Sequence, residues 1–128
     1  MKEIIAILRP NMVAKTVKAL EAVGFPALSV TKCTGRGKQK GYVSANMPDS
    51  FDLEKVIKEG EAEGRMIKNI PKRLLSIVAD DLDYTLIVNI IMKVNRSGRF
   101  GDGRIFIIPT ENAIQIRTGD VGTSAIGN

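Results

Sequence analysis

Histidine and tryptophan are absent from this chain of 128 residues, and cysteine occurs once. The lack of histidine excludes serine triads, cysteine–histidine dyads and most zinc sites together. Cys33 cannot form an internal disulfide and has no histidine to activate it, so we interpret it as a small core or edge residue. Acid–base catalysis would have to depend on carboxylates or lysines, and no cluster of these points to it. We therefore expect no enzymatic activity.

Long apolar runs are also missing. No stretch approaches the roughly 20 apolar residues that a membrane helix needs, and the N-terminal segment resembles a strand rather than a signal sequence. The composition, 44% hydrophobic and 26% charged, is that of a soluble globular protein. These features predict a cytoplasmic protein without membrane insertion, and the length favours one domain.

The net charge of +5 could indicate a nucleic-acid partner. The positive residues, however, are concentrated where the glycines are, in residues 32–41 and again in residues 96–104. This distribution favours phosphate held by loops over a duplex lying along a helix. No nucleic-acid partner is therefore expected, and a nucleic-acid-binding module is the less favoured alternative.

The hydrophobic pattern predicts two β-α-β units. The predicted strands are Ile4–Leu8, Ala27–Cys33, Leu74–Ala79, Arg104–Ile108 and Ala113–Arg117, and the predicted helices run from about residue 13 to Gly24 and from Asp80 to about Ser97. The apolar residues of the second helix form one broad helical stripe, which comprises Leu82, Leu86, Ile87, Ile90, Ile91 and Val94. Because Thr85–Val94 is rich in β-branched residues, a strand is the alternative there. Two such units predict an α+β, ferredoxin-like split βαβ fold (βαββαβ), with an antiparallel sheet and both helices on one face. The uncovered face of the sheet predicts an oligomer.

A long segment, Tyr42–Ile70, separates the two units, so we expect one domain spanning residues 1–128 with a loop insertion at about 42–70. Asp49 or Ser50 could cap a short helix with Leu53, Val56 and Ile57 on one face. A long loop in a compact domain is usually functional. This helix is therefore either an element that faces a partner or a covering insertion.

Two basic glycine loops carry the functional prediction. Residues 35–41 (GRGKQKG) follow a strand, so their backbone N–H groups can form an anion nest, but the P-loop order is missing. Residues 97–104 (SGRFGDGR) join a helix to a strand, and Arg117 lies on the last predicted strand. Each element alone could be a solvated turn. Three of them in one small domain favour phosphate binding.

Five segments, taken together and in order, resemble the PII signal-transduction family over nearly the whole chain. They are Lys2–Pro10, Gly35–Gly41, Pro71–Lys72, Gly98–Phe106 and Ile116–Gly119. The resemblance implies a trimer, either of one chain or mixed with a PII paralogue, with ATP or ADP bound in the clefts between subunits. The implied nucleotide-binding residues are Ile7, Ser29, Gly35, Gly37, Lys38, Gln39, Val78, Gly101, Asp102, Gly103, Arg104, Gln115 and Arg117.

The resemblance also implies 2-oxoglutarate as effector, held with Mg²⁺. Gln39 falls on the metal-binding position, and the implied 2-oxoglutarate residues are Gly37, Lys38, Gln39, Lys40, Gly41 and Lys72. The chemistry of these residues agrees, because Mg²⁺ takes few protein ligands beside phosphates and a dicarboxylate needs positive charge and donors.

The chain departs from the common pattern in two places. Its long loop is enlarged, and no tyrosine clearly corresponds to the one that common members modify by nucleotidylation, since Tyr42 lies too close to the loop base. Gln115 stands where an arginine usually reaches the nucleotide phosphates. The enlarged loop resembles the nitrogenase-regulating subtype, which implies nitrogenase as the target; an ammonium channel or a biosynthetic enzyme is the alternative.

Overall fold

The computed structural model describes residues 1–36, 52–64 and 69–127. The chain forms two compact units, one made of Met1–Thr34 with Pro71–Asn128 and the other of Gly35–Ile70. A single domain with an insertion at about 42–70 stays a prediction.

Four strands and four α-helices follow one another along the described residues. They are β1 (Lys2–Leu8), α1 (Val13–Ala22), β2 (Ser29–Gly35), α2 (Leu53–Ala62), β3 (Ile70–Ala79), α3 (Tyr84–Asn95), β4 (Arg104–Pro109) and α4 (Thr123–Ile126). The strands form one sheet in the order β2-β3-β1-β4. Strand β1 pairs antiparallel with both neighbours, so that Ile5 lies opposite Ser76 on β3 and Phe106 on β4. This confirms the predicted ferredoxin-like α+β fold with an antiparallel sheet.

The core lies between one face of the sheet and helices α1 and α3. On β1 every second residue is buried, because successive side chains point to opposite faces. The buried apolar residues are Ile4, Ala6, Leu8, Leu20, Leu75, Ile77, Ala79, Ile87 and Ile91. Burial of each large apolar side chain contributes about 1.5–3 kcal/mol before entropy is counted, so this layer holds the sheet and the two helices together.

The opposite face of the sheet carries apolar side chains beside polar ones such as Glu3 and Ser76. It is lined by the alternate residues Ile5 and Ile7 of β1 and by their neighbours on β3 and β4. Phe106 and Ile108 on β4 are 47% and 41% exposed, respectively. Helices α1 and α3 do not cover this face, since they pack on the other one.

Helix α3 confirms the helical interpretation of residues 85–94 over the strand. It begins at Tyr84, later than predicted, because the N–H groups of Asp83 and Tyr84 both donate to the carbonyl of Asp80 and form a turn. Leu82 lies in that turn and is 87% exposed, so its inclusion in the apolar stripe was wrong. The stripe instead buries Ile87 and Ile91.

The predicted strand at Ala113–Arg117 is wrong. Only an isolated bridge joins Ile114 to Val121, and Ile116 is 99% exposed. The backbone closes on itself, because the N–H of Gly119 donates to the carbonyl of Gln115 at 2.7 Å. Thr, Asn and Gly stabilise such local turns in competition with a sheet ladder, and alternation of apolar residues does not reveal that competition.

The second unit contains helix α2. Its N-cap is Asp52, whose carboxylate accepts from the N–H groups of Glu54 and Lys55 at 3.1 and 3.3 Å. The predicted caps, Asp49 and Ser50, were therefore wrong; they lie outside the described residues. Across the described ranges, no helix is long and apolar enough to span a membrane.

Candidate functional site

The segment that joins α3 to β4, residues 96–103, is folded around one carboxylate. Oδ2 of Asp102 accepts from the N–H groups of Ser97 and Gly98 at 2.8 and 2.9 Å, and Oδ1 accepts from the Ser97 hydroxyl. These amides follow the last turn of α3, and a nest of successive N–H groups binds an anion. The carboxylate of Asp102 therefore occupies the anion-binding position that these N–H groups form. We call this segment the glycine loop.

Arg9 fastens the glycine loop to the end of β1. Its Nη1 donates to Oδ1 of Asp102 at 2.7 Å, and its Nη2 donates to the carbonyl of Phe100 at 2.9 Å. Hydrogen bonds from the Ser97 hydroxyl and N–H, followed by that from Arg9, hold the pKa of Asp102 well below its usual range. Sequence reasoning missed Arg9 as a site residue. Its position directly after a strand of the family pattern was the available signal.

Lys72 approaches the same loop from β3. Its ammonium donates to the carbonyl of Gly101 at 2.8 Å. Gly101 has a positive φ of 95°, and a Cβ placed there would lie 3.3 Å from Arg9 Nη2 and 3.7 Å from Lys72 Nζ. Two cations therefore converge on one glycine. A lysine ammonium has three donors, so Lys72 can donate to an anionic ligand as well as to this carbonyl.

The loop enters β4 through a close approach to β1. Gly103 has φ of 105°, and a Cβ added there would lie 1.8 Å from the carbonyl oxygen of Ile7. Only glycine permits that approach. The next residue, Arg104, pairs with Ile7 in the β1–β4 ladder. Three predicted nucleotide residues, Ile7, Gly103 and Arg104, are thereby brought together.

A cleft of about 400 Å³ lies along the other side of the glycine loop, which is within the usual range for ligand pockets. Its lining includes Arg9, Arg96 and Arg99 and, among the described residues, no carboxylate. Guanidinium, ammonium and backbone N–H groups are the donors that phosphates and carboxylates require. The residues present thus fit an anionic ligand such as a nucleotide or a dicarboxylate.

The other predicted site residues in the described ranges form no described hydrogen bond with the glycine loop. Ser29 begins β2, Gly35 ends it, and Val78 lies opposite Glu3 in the β1–β3 ladder. Arg117 is exposed in the C-terminal turn, where Oε1 of Gln115 accepts from Thr118. Within the described part of the chain, no hydrogen bond joins Gln115 or Arg117 to the glycine loop.

Five predicted residues cannot be placed in this site. Gly37, Lys38, Gln39, Lys40 and Gly41 lie outside the described residues. The predicted metal-binding role of Gln39 and most of the first glycine segment therefore stay predictions.

The chain is similar to known proteins along almost its whole length. The family model of the nitrogen regulatory protein P-II matches residues 1–120. A "nitrogen fixation nifHD region GlnB-like protein 2" of Methanothermococcus thermolithotrophicus is 66% identical over all 128 residues and the whole of both chains. In Methanothermobacter marburgensis a protein 2 of the same description is 42% identical, covering 98% of this chain and all of the relative. A GlnB-like protein 1 of that organism is 40% identical, covering 95% of this chain and 99% of the relative. The chain belongs to the nitrogen regulatory protein P-II family.

Proposed function

We propose that this chain senses nitrogen and energy state by binding ATP or ADP and 2-oxoglutarate with Mg²⁺, and passes the result to a target protein. The observation that supports this best is the convergence of Arg9 and Lys72 on the glycine loop. Both cations donate to loop carbonyls, at 2.9 and 2.8 Å, and so hold the backbone that leads into Arg104, while the ammonium of Lys72 keeps donors for a carboxylate.

The nucleotide would lie against the end of the glycine loop. Arg104 follows Gly103 directly, so its guanidinium leaves β4 where the backbone is pressed against β1. Arg117 would contribute from another part of the chain or from a neighbouring subunit, as would Gly37, Lys38 and Gln39, which lie outside the described residues. The chain would bind nucleotide without using it in a reaction.

2-Oxoglutarate would bind through the ammonium of Lys72 and, with Mg²⁺, through Gln39. Lys72 comes two residues after Ile70, where the second unit ends, and Gln39 lies four residues after Gly35, where it begins. One small ligand that touches both would tie the two ends of the long loop. An effector shifts a conformational equilibrium only by its differential affinity for the two states, and a typical coupling would change target affinity by about 5- to 150-fold.

Calorimetry with ATP and then with 2-oxoglutarate tests this assignment. Lys72→Ala should retain ATP binding and lose the response to 2-oxoglutarate in the presence of Mg-ATP. Lys18→Ala is the matched control, because it removes the same charge from an exposed position of α1. If Lys72→Ala bound 2-oxoglutarate as the wild type does, the assignment of Lys72 would be wrong.

The uncovered sheet face that includes Ile5 and Phe106 supports a trimer, since burying its apolar side chains against other copies removes that area from water. The other subunits would be this chain or a paralogue. The occurrence of GlnB-like proteins 1 and 2 in one organism favours the mixed form. Light scattering should give a trimer mass at micromolar concentration, and a monomer would contradict the proposal.

Nitrogenase is the proposed target, because the relatives are described as proteins of a nitrogen fixation region. High 2-oxoglutarate reports nitrogen shortage, so it should release the inhibitor from its target. Nitrogenase activity, measured with the chain and its paralogue, should fall on their addition and recover with Mg-ATP plus 2-oxoglutarate. No change in either direction would favour an ammonium channel or a biosynthetic enzyme as the target.

A further inference from the structure

We infer that Asp102 is a positioning residue: its carboxylate, paired with Arg9, orders the glycine loop for nucleotide binding without touching the nucleotide. This inference rests on the proposed nucleotide binding. The family resemblance implies that Asp102 lies at a nucleotide-binding position, and the inference assigns its side chain to the loop.

Both oxygens of Asp102 are already occupied. Oδ1 accepts from Arg9 at 2.7 Å and from the Ser97 hydroxyl, while Oδ2 accepts from two backbone N–H groups at 2.8 and 2.9 Å. Every one of these partners is a donor. The side chains of Arg9 and Asp102 are 29% and 24% exposed, so their pair is only partly buried. A ligand group would have to displace a charge-assisted bond to reach this carboxylate.

The bonds of Asp102 fix both ends of the glycine loop. The N–H groups of Ser97 and Gly98 lie at its start, and Asp102 itself immediately precedes Gly103, which is pressed against Ile7. Arg9 also holds the middle through the carbonyl of Phe100. Asp102 therefore determines where the backbone leaves the loop and where Arg104 begins β4.

Asp102→Asn removes the negative charge and leaves the size of the side chain unchanged. It therefore distinguishes a positioning role from two other roles, a negative charge near the phosphates and a Mg²⁺ ligand. One of its two ends becomes an NH₂ group facing donors, so at least one set of the present bonds is lost. If Asp102 were merely a negative charge near phosphates, its removal would tighten ATP binding. If it were a Mg²⁺ ligand, its effect would disappear in EDTA. A positioning role predicts weaker binding with and without Mg²⁺.

The experiment measures ATP affinity by calorimetry, with Mg²⁺ and in EDTA, for the wild type, Asp102→Asn and the control Glu111→Gln. Glu111 is exposed and carries the same charge. Asp102→Asn should bind ATP about tenfold more weakly in both buffers, the loss expected for a disrupted charge-assisted bond, whereas Glu111→Gln should match the wild type. In an Arg104→Gln background the effect of Asp102→Asn should shrink, because the positioned group is gone. Tighter binding, an effect confined to Mg²⁺, or full additivity with Arg104→Gln would overturn the inference.

Hydrogen exchange of residues 95–103, measured without ligand, gives a second readout. Asp102→Asn should accelerate exchange there, and Ser97→Ala, which keeps the charge and removes one donor, should do so to a smaller extent. If Asp102→Asn fails to fold, the exchange measured for Ser97→Ala tests the ordering role in its place. Unchanged exchange in a folded variant would refute the ordering role. A wild type that binds no nucleotide would refute the proposed function instead, while exchange would still decide whether Asp102 orders the loop.

Discussion

Gly103→Ala should destabilise the folded chain by about 2–5 kcal/mol. The φ of 105° at this position is one that residues with a side chain rarely adopt, and a left-handed conformation costs about 1–2 kcal/mol. In addition, the new Cβ would lie 1.8 Å from the Ile7 carbonyl oxygen. The backbone of β1 or of the glycine loop must then move, and overpacking of this kind costs about 1–3 kcal/mol.

Gly119→Ala is the control that isolates the cost of the contact between the new Cβ and β1. Gly119 also has a positive φ, 75°, but nothing lies within 4 Å of a Cβ built on it. Its substitution should therefore cost only the conformational part, about 1–2 kcal/mol. The difference between the two variants measures the close approach of Gly103 to β1.

Equilibrium unfolding in urea is the assay, with all proteins at the same concentration because oligomerisation would contribute to stability. The midpoint should fall further for Gly103→Ala than for Gly119→Ala, and ATP affinity should fall only for Gly103→Ala. Equal losses of stability in the two variants would refute the argument, since the contact with Ile7 would then carry no cost.

Three further outcomes are expected. Thr16→Val should lower the free energy of unfolding by about 1–3 kcal/mol, because the buried Nδ2 of Asn95 then has one hydrogen-bond partner fewer. The double variant Thr16→Val with Asn95→Leu should lose less, since Oδ1 of Asn95 already has no partner in the described structure. Urea unfolding of both variants measures the two losses. Hydrogen bonding lowers the pKa of Asp102 in the folded chain below its unfolded value of about 4. The ionised carboxylate therefore stabilises the fold above pH 4, and this stabilisation is lost as the pH falls below 4 towards the folded pKa. Carboxyl NMR should show Asp102 still ionised at pH 4, and protonation near pH 4 would contradict the hydrogen bonds described. Gln115→Arg should tighten ATP binding by calorimetry, because a guanidinium makes charge-assisted bonds of about 1.5–3 kcal/mol with phosphates before desolvation; Gln115→Ala controls for the lost bond to Thr118, and weaker binding by the arginine variant alone would show that Gln115 does not face the phosphates.

Much of the fold could be predicted from local patterns. The buried stripe of Ile87 and Ile91 specifies a helix despite its β-branched residues, because spacing by three and four matches a helical face. The last predicted strand failed because Gln115 and Gly119 bond to each other. Alternating apolar residues do not reveal whether a neighbouring strand is available.

The candidate site was predictable only in part. Glycine and basic residues identified the loop, but its closure depends on Arg9, which contacts Asp102 across 93 positions of sequence. No local pattern encodes such a pairing. Lys72 was predicted from family resemblance to bind a carboxylate; its bond to the carbonyl of Gly101 follows only from the folded sheet, which places β3 beside β1.

The connection between β2 and β3 bears on how such regulators diversify. These strands are neighbours in the sheet, and the second unit is inserted between them, leaving the sheet at Gly35 and returning at Ile70. The entropic cost of closing a flexible insertion grows slowly with length, by about 0.6 kcal/mol for each doubling. Evolution could therefore lengthen, shorten or replace this segment with little change to the sheet that supports the glycine loop. Under the proposed function, the part of the chain that binds the ligand and the part that selects the target could therefore change independently of each other.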